Sequence, residues 1–446
     1  MPGDKSISHR AALLALLVSG PCRAAGWLDA EDTQRSRQAG HDLGARSRLD
    51  NGTLTIWPGV FPRHAKTDEP LVIDCGNSGT TARLLAGLLA GVRCDVLLTG
   101  DDSLLARLMG RVVVPLQRMG AEIAYLGDEG RLPLRIQGRA LRAAEHVLSV
   151  ASAQVKSALL LAGLAARGRT VVSGGGRCRD HTERLLAAMG AAVGRSADDA
   201  AVTLDGGQSR LGPFDIVVPG DLSSAAFFLV VAAMVPGSEL TVPDVSLNPT
   251  RTGVLDVLQR AGARVFIEPD GPAVWPAEPR GDVTVAADRL RGFTVSADEV
   301  PAVIDELPVL AVLATQAEGE TVVTGAAELR AKESDRIELM VTQLRRLGAE
   351  ISAQPDGFAV RGPTRLATRA GGRGGGLAPV VEPADAPQSS PPPLVLKTGG
   401  DHRVAMALAV AALVTEGQTA LDDPDCIAIS YPAFLADLER LATARG

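Results

Sequence analysis

The chain is poor in aromatic residues, at 3% of 446 positions, and its five cysteines, Cys22, Cys75, Cys94, Cys178 and Cys426, show no C-x-x-C spacing. An odd set of scattered thiols excludes a disulfide framework and a structural zinc site, and suggests reduced cysteines in the cytoplasm. No apolar run reaches the roughly 18 to 20 residues of a membrane span. Lys5 and Arg10 before an apolar stretch, with Ala24, Ala25 and Gly26 beyond it, mimic a secretory leader. Its apolar core is short, however, and similar stretches recur far down the chain, so a soluble protein is expected. A net charge of −7 argues against a general nucleic-acid binder, so any anion must be recognised by local clusters. There is no Walker motif, no metal-spaced His/Cys cluster and no G-x-S-x-G elbow, which removes support for ATP, metal and serine-hydrolase chemistry.

What the chain has is length, apolar residues at 46%, and repetition. It is too long for one ordinary core, and two lobes are expected. Six small-residue-rich apolar segments, 6–20, 78–91, 152–168, 223–237, 305–319 and 401–417, each have a polar entrance and end near a glycine before a β-like run. They recur at intervals of about 71 to 96 residues, which reads as an internal repeat of buried helices. A second marker, Leu43-Gly44-Ala45, Met119-Gly120-Ala121, Met189-Gly190-Ala191, Ala261-Gly262-Ala263 and Leu347-Gly348-Ala349, stops a charged amphipathic helix in five of the repeats. The predicted architecture is α/β, with two similar lobes of three βαβαββ-type repeats and buried parallel helices. The first lobe is set at 5–219 and the second at 220–446 together with 1–4. Residues 363–395, rich in Gly, Pro, Ala and Ser, read as a disordered surface insertion within the second.

The helix entrances carry Lys5, Ser6 and Arg10; Asn77, Ser78, Gly79 and Thr80; Ser152, Gln154 and Lys156; Asp221, Ser223 and Ser224; Asp305 and Glu306; and His402 and Arg403. Helix caps are polar in any case. Caps do not call for Lys, Arg and His, and cations in a first turn oppose the helix dipole unless an anion lies between them. The pattern therefore points to a multiply anionic small ligand. A second dense cluster, Lys332-Glu333-Ser334-Asp335-Arg336, is expected to open a helix with Lys332 and Arg336 on one face. A solvated face laced with ion pairs is the plainer reading of that run taken alone.

In order along the chain, Pro2-Gly-Asp-Lys-Ser-Ile-Ser-His-Arg10, Gly76-Asn-Ser-Gly-Thr80, Thr99-Gly-Asp101 with Arg107, Ser152-Ala-Gln-Val-Lys-Ser157, Arg179-Asp-His-Thr-Glu183, Asp305-Glu306, Lys332-Glu-Ser-Asp-Arg336 and Asp401-His-Arg403 resemble the motifs of the EPSP synthase (3-phosphoshikimate 1-carboxyvinyltransferase) family. The resemblance covers essentially the whole chain, and Ser-Ala-Gln-Val-Lys is similar to the class II branch. It implies the enolpyruvyl transferase fold, with two lobes joined by a hinge and closing over the substrates. It also implies transfer of the enolpyruvyl group of phosphoenolpyruvate to the 5-hydroxyl of shikimate 3-phosphate through a tetrahedral adduct, without metal or organic cofactor. The implied partners are these two small molecules, and neither nucleic acid nor membrane; the implied enzyme is a cytoplasmic monomer.

By the same resemblance, Lys5, Ser6, Arg10, Ser152, Gln154, Asp305 and Lys332 hold shikimate 3-phosphate. Lys5, Gly79, Arg107, Gln154, Arg336 and Arg403 hold phosphoenolpyruvate. Asp305 acts as base, Glu333 as acid, with a raised pKa in the closed complex, and Lys5 assists the leaving phosphate. Cys178, Leu108, Ile429 and Leu307 depart from the residues usual at their places. A UDP-N-acetylglucosamine enolpyruvyl transferase is the alternative enzyme, but it usually carries a reactive Cys in a Pro-Gly-Gly-Cys-like loop, and no cysteine here lies in one. A non-catalytic shikimate 3-phosphate-binding relative is the other alternative, and it has no need of a paired acid and base. Family members usually carry a strand before the first motif, so a late start or a truncation is expected here.

Overall fold

In the computed structural model of the chain, residues 1–59, 69–174, 178–198, 200–207, 211–368, 376–377 and 392–443 are described. Most of the low-complexity stretch 363–395 lies outside them. The chain forms two compact units. Pro2–Asp221 with Gly271–Arg280 make the N-terminal unit; Met1, Leu222–Asp270 and Gly281–Gly446 make the C-terminal unit. Among the described residues no helix is long and apolar enough to cross a membrane.

The N-terminal unit repeats one grammar. In its second repeat, strand Leu71–Asp74 pairs in parallel with Asp95–Thr99, and the crossover between them is the helix Gly79–Ala90. An amphipathic helix, Gly110–Arg118, follows, and then the antiparallel strands Glu122–Tyr125 and Leu134–Gln137 complete a four-stranded sheet. The third repeat does the same with Glu145–Val147, helix Ala153–Ala165 and Arg169–Ser173. The first repeat, built on helix Lys5–Leu14, takes its parallel strand from the far end of the unit: Asp215–Val217 pairs with Cys22–Ala25. There Asp4 N donates to Pro219 O at 2.8 Å.

Beyond their polar entrances the crossover helices Gly79–Ala90 and Ala153–Ala165 are apolar around their whole circumference, as buried helices are. Ala and Gly let them approach closely. A Cβ on Gly87 would lie 2.1 Å from the Ala158 carbonyl oxygen, so the helices Gly79–Ala90 and Ala153–Ala165 meet backbone to backbone. The five marker glycines, Gly44, Gly120, Gly190, Gly262 and Gly348, all have φ between 92 and 101°. Left-handed backbone after a helix closes its last carbonyls, and a side chain there is strained.

The C-terminal unit follows the same plan. Its buried helices are Leu222–Met234, Leu307–Gln316 and His402–Leu413. Thr294–Val295 pairs in parallel with Gly319–Val323 across the second, and Leu394–Leu396 with Gln418–Leu421 across the third. Much of the scarce aromatic content is concentrated here: Phe227, Phe228, Tyr431 and Phe434 form one cluster with ring centroids 5.3 to 6.0 Å apart.

Candidate active site

In the N-terminal unit the predicted residues stand where the helices begin. Asp4 caps the Lys5–Leu14 helix by accepting from Ile7 N, which leaves Lys5 in the first turn with its Nζ 3.0 Å from Asp32 Oδ2. Arg10, one turn further in, is buried. Its Nη1 donates to the Ser6 carbonyl at 2.8 Å, its Nε to Thr182 Oγ1 at 2.7 Å and its Nη2 to Ser157 Oγ at 2.8 Å. Burial lowers its pKa to about 10. Arg179 Nη1 lies 3.5 Å from Ser6 Oγ, so two guanidiniums flank that serine.

A second group gathers at the Gly79 entrance. Gln154 accepts from Arg83 Nη1 at 2.9 Å and donates to Thr80 Oγ1 at 3.0 Å, joining two helix N-termini. Arg107 Nη2 donates to Asn77 Oδ1 at 2.5 Å. A Cβ on Gly79 would meet Arg83 Nη1 at 2.4 Å and Arg107 Nη1 at 3.2 Å. Two guanidiniums over the positive end of a helix are favourable when an anion joins them. Ser152 is the cap of its own helix, accepting from Val155 N at 3.4 Å.

Sequence reasoning assigned no role to Arg83, Asp32, Thr182 or Ser157. Arg83 had a signal, since it stands one helical turn after Gly79. Trp275 and Glu278 had none. They come from Gly271–Arg280, far along the chain, yet Trp275 stacks under Arg184 and Arg195, and Glu278 lies 2.7 Å from His181 Nδ1. Lys156 is not an offered charge as its place at an entrance suggested. It is buried, 2.5 Å from Glu183 Oε1, and donates to the Cys178 carbonyl at 3.0 Å. Burial alone would lower the Lys156 pKa, but Glu183 raises it overall.

In the C-terminal unit the acidic and basic residues converge on one guanidinium. Arg336 contacts Asp401 at 2.8 Å, Glu333 at 2.7 Å and Asp305 at 3.3 Å, and Lys332 lies 3.8 Å from the same Asp305 oxygen. Burial disfavours its charge, yet Asp401, Glu333 and Asp305 hold its pKa above the ordinary arginine value. Asp401 also caps the His402–Leu413 helix, accepting from Arg403 N and Val404 N.

The expected single helical turn across Lys332 and Arg336 is corrected. Lys332 follows the 3-10 helix Ala327–Ala331, and the α-helix begins only at Arg336, because Asp335 captures Glu338 N as its cap. The two cations meet at Asp305 without sharing a helix face. Beside them, Arg403 donates to Ser223 and Ser223 to Glu306, a buried carboxyl whose pKa is pushed up by burial and by Asp305, with Arg251 and Arg403 opposing. Leu307 is a fully buried core residue, and Leu108 is exposed.

Repeated α/β units whose helix N-termini gather cations, with carboxylates set against Lys and Arg, suit a multiply anionic small substrate, and the family match makes the chain an enolpyruvyl, or carboxyvinyl, transferase. Residues 1–438 match the family described as EPSP synthase (3-phosphoshikimate 1-carboxyvinyltransferase), and the chain belongs to that family. It is 47% identical to the 3-phosphoshikimate 1-carboxyvinyltransferase of Anaeromyxobacter sp. (strain Fw109-5) over 442 residues, 99% of this chain and 95% of that one. It is 45% identical to the enzyme of the same name from Geobacillus kaustophilus, over 99% of this chain and 96% of that one. Among solved structures, EPSP synthase from Acinetobacter baumannii superimposes with a TM-score of 0.79 at 37% identity, covering 98% of this chain and 94% of that one.

Proposed function

We propose that the helix entrances of the N-terminal unit bind the anionic groups of the substrates and that the Asp305–Glu333 cluster of the C-terminal unit moves the protons. The reaction transfers the enolpyruvyl group of phosphoenolpyruvate to the 5-hydroxyl of shikimate 3-phosphate and releases phosphate. Two phosphates and two carboxylates have to be brought together, and cations with helix N-termini offset their repulsion. In this reading Lys5, Ser6, Arg10, Ser152, Gln154, Asp305 and Lys332 hold shikimate 3-phosphate, and Lys5, Gly79, Arg107, Gln154, Arg336 and Arg403 hold phosphoenolpyruvate.

Addition needs a base for the hydroxyl proton and an acid for the enol methylene. Asp305, 3.8 Å from Lys332 Nζ and 3.3 Å from Arg336 Nη1, takes the first proton. Glu333 is paired with Arg336 at 2.7 Å and can donate only once that pairing loosens. An anionic substrate that claims the Arg336 guanidinium loosens it, so substrate binding itself prepares the acid. Lys5 stabilises the departing phosphate.

The observation that carries the reading is that Asp305 and Glu333 meet on one buried arginine, Arg336, with Lys332 beside Asp305. A solvated ion-paired face has no reason to centre on an arginine whose side chain is only 2% exposed. A phosphate-release assay with both substrates tests it. Turnover is expected from the parent and a loss of at least about a hundredfold from Asp305→Ala; turnover at background, or a variant as fast as the parent, overturns the reading. The enzyme in this proposal is a cytoplasmic monomer, and light scattering at working concentration checks the oligomeric state.

A further inference from the structure

The three buried helices of the C-terminal unit begin at Leu222, Leu307 and His402, and each entrance contributes one side chain to a single line of polar contacts. Arg403 Nη1 donates to Ser223 Oγ at 2.6 Å and to the Ser223 carbonyl at 3.3 Å. The Ser223 hydroxyl donates onward to Glu306 Oε1. All three residues are buried, with exposures of 4%, 1% and 3%. Glu306 occupies the cap position of its helix, but its side chain makes no capping bond there. A carboxyl that gives up a cap to reach across to another helix, in a place where burying it is costly, calls for a purpose.

We propose that Glu306 is a positioning residue for Arg403: acting through Ser223, it fixes the guanidinium in the orientation that meets phosphoenolpyruvate. This rests on the assignment of Arg403 to phosphoenolpyruvate made above. Among the described residues, every side-chain hydrogen bond of Arg403 runs through Nη1, so one corner of the planar fork is anchored while Nε and Nη2 are left for an anion. An arginine held in advance loses less rotamer freedom when the ligand arrives, and that saving goes into affinity. Arg10 in the N-terminal unit is anchored in a related way, by the hydroxyls of Thr182 and Ser157. The Arg403 line differs in ending on a carboxyl, which fixes the direction of the Ser223 hydroxyl: its proton goes to Glu306, and its lone pairs face Arg403.

The test is steady-state kinetics on the full chain, with each substrate varied in turn. Glu306→Ala and Ser223→Ala are expected to raise KM for phosphoenolpyruvate about tenfold while KM for shikimate 3-phosphate stays within about twofold. Glu306→Gln, which keeps an acceptor for the Ser223 hydroxyl, is expected to recover most of that loss. The Ser223→Ala, Glu306→Gln double variant should be no worse than Ser223→Ala alone, since both act on one line. A rise in both KM values together marks general damage to the unit and overturns the proposal, as does no change in either. Should Glu306→Ala fail to fold, Ser223→Ala, which removes a single oxygen, decides. Arg403→Lys separates the two levels. An unchanged KM for phosphoenolpyruvate in that variant sinks the assignment of Arg403 itself, whereas a raised one with a silent Ser223→Ala sinks only the positioning role of Glu306.

Discussion

Arg336 and Asp401 form an ion pair with Nε 2.8 Å from Oδ2 and side chains 2% and 0% exposed. Burial would raise the Asp401 pKa, but Arg336 holds it below the usual carboxylate range. A depressed carboxylate adds stability that is present at neutral pH and is lost as the pH falls through its folded value. Asp401→Asn keeps a capping side chain and removes the charge. We expect a loss of about 3 kcal/mol, near the lower limit for a broken buried pair because Asp305 and Glu333 still face the guanidinium. Urea unfolding at pH 7 measures it, and a change within about 0.5 kcal/mol would show that the pair contributes no more than an ordinary surface contact.

His9 is a buried imidazole whose pKa burial lowers to about 3. Its Nδ1 shares a hydrogen bond with Ser36 at 2.8 Å, and Ser36 another with Thr81 at 2.7 Å. The unfolded chain binds a proton near the ordinary histidine value and the folded chain does not, so stability falls as the pH drops from there towards about 3. The slope is about 1.4 kcal/mol per pH unit. His9→Asn places an amide near the Nδ1 position and removes the titration. Between pH 6.5 and 5 the parent should lose about 1.6 kcal/mol more than this variant. Parallel pH curves for the two proteins would contradict the assignment.

Lys156 and Glu183 are buried and 2.5 Å apart. Removing one partner strands the other, so Lys156→Met should cost about 3 to 5 kcal/mol. Combining it with Glu183→Gln removes both charges and should recover more than half of that. Because Lys156 also holds the Cys178 carbonyl beside Arg179, the double variant should regain stability before it regains affinity for shikimate 3-phosphate. Calorimetric melting and substrate titration of the same samples separate the two effects; full recovery of both would show that the lysine only balances charge.

Gly87 sits in the middle of a helix, where Ala is favoured by about 1 kcal/mol. The Ala158 carbonyl oxygen lies 2.1 Å from where the new methyl would go, and forcing a methyl into a packed contact costs about 1 to 3 kcal/mol. The contact is to backbone, which cannot swing aside, so the upper part of that range applies and Gly87→Ala should lower stability by about 2 kcal/mol. A higher melting temperature for the variant would mean that the two helices part easily.

The fold was legible because its signals are local and repeated. A helix apolar on every side, such as Leu222–Met234, has nowhere to go but the core, and a glycine such as Gly190 marks a helix end wherever it falls. The motif-bearing residues were legible through family resemblance. The polar scaffolding behind them was not. Ser157 and Thr182 read as ordinary small polar residues until Arg10 is seen to lean on both. Glu278 reaches His181 from nearly a hundred residues away, a distance over which no periodicity carries information. Lys332 was placed in the wrong local structure because a charge run says nothing of which carboxylate will cap the helix. Asp335, one residue before Arg336, does so.

The strand Asp215–Val217, lying beside Cys22–Ala25, has a consequence for how the protein is made. On the ribosome, Cys22–Ala25 emerges early and then waits for about 190 further residues before its parallel neighbour exists. Until then the first repeat presents an open sheet edge, the kind of surface on which nascent chains misassociate and chaperones act. Once Asp215–Val217 docks, the first strand of the unit and one from near residue 215 lie side by side, and the edge is covered.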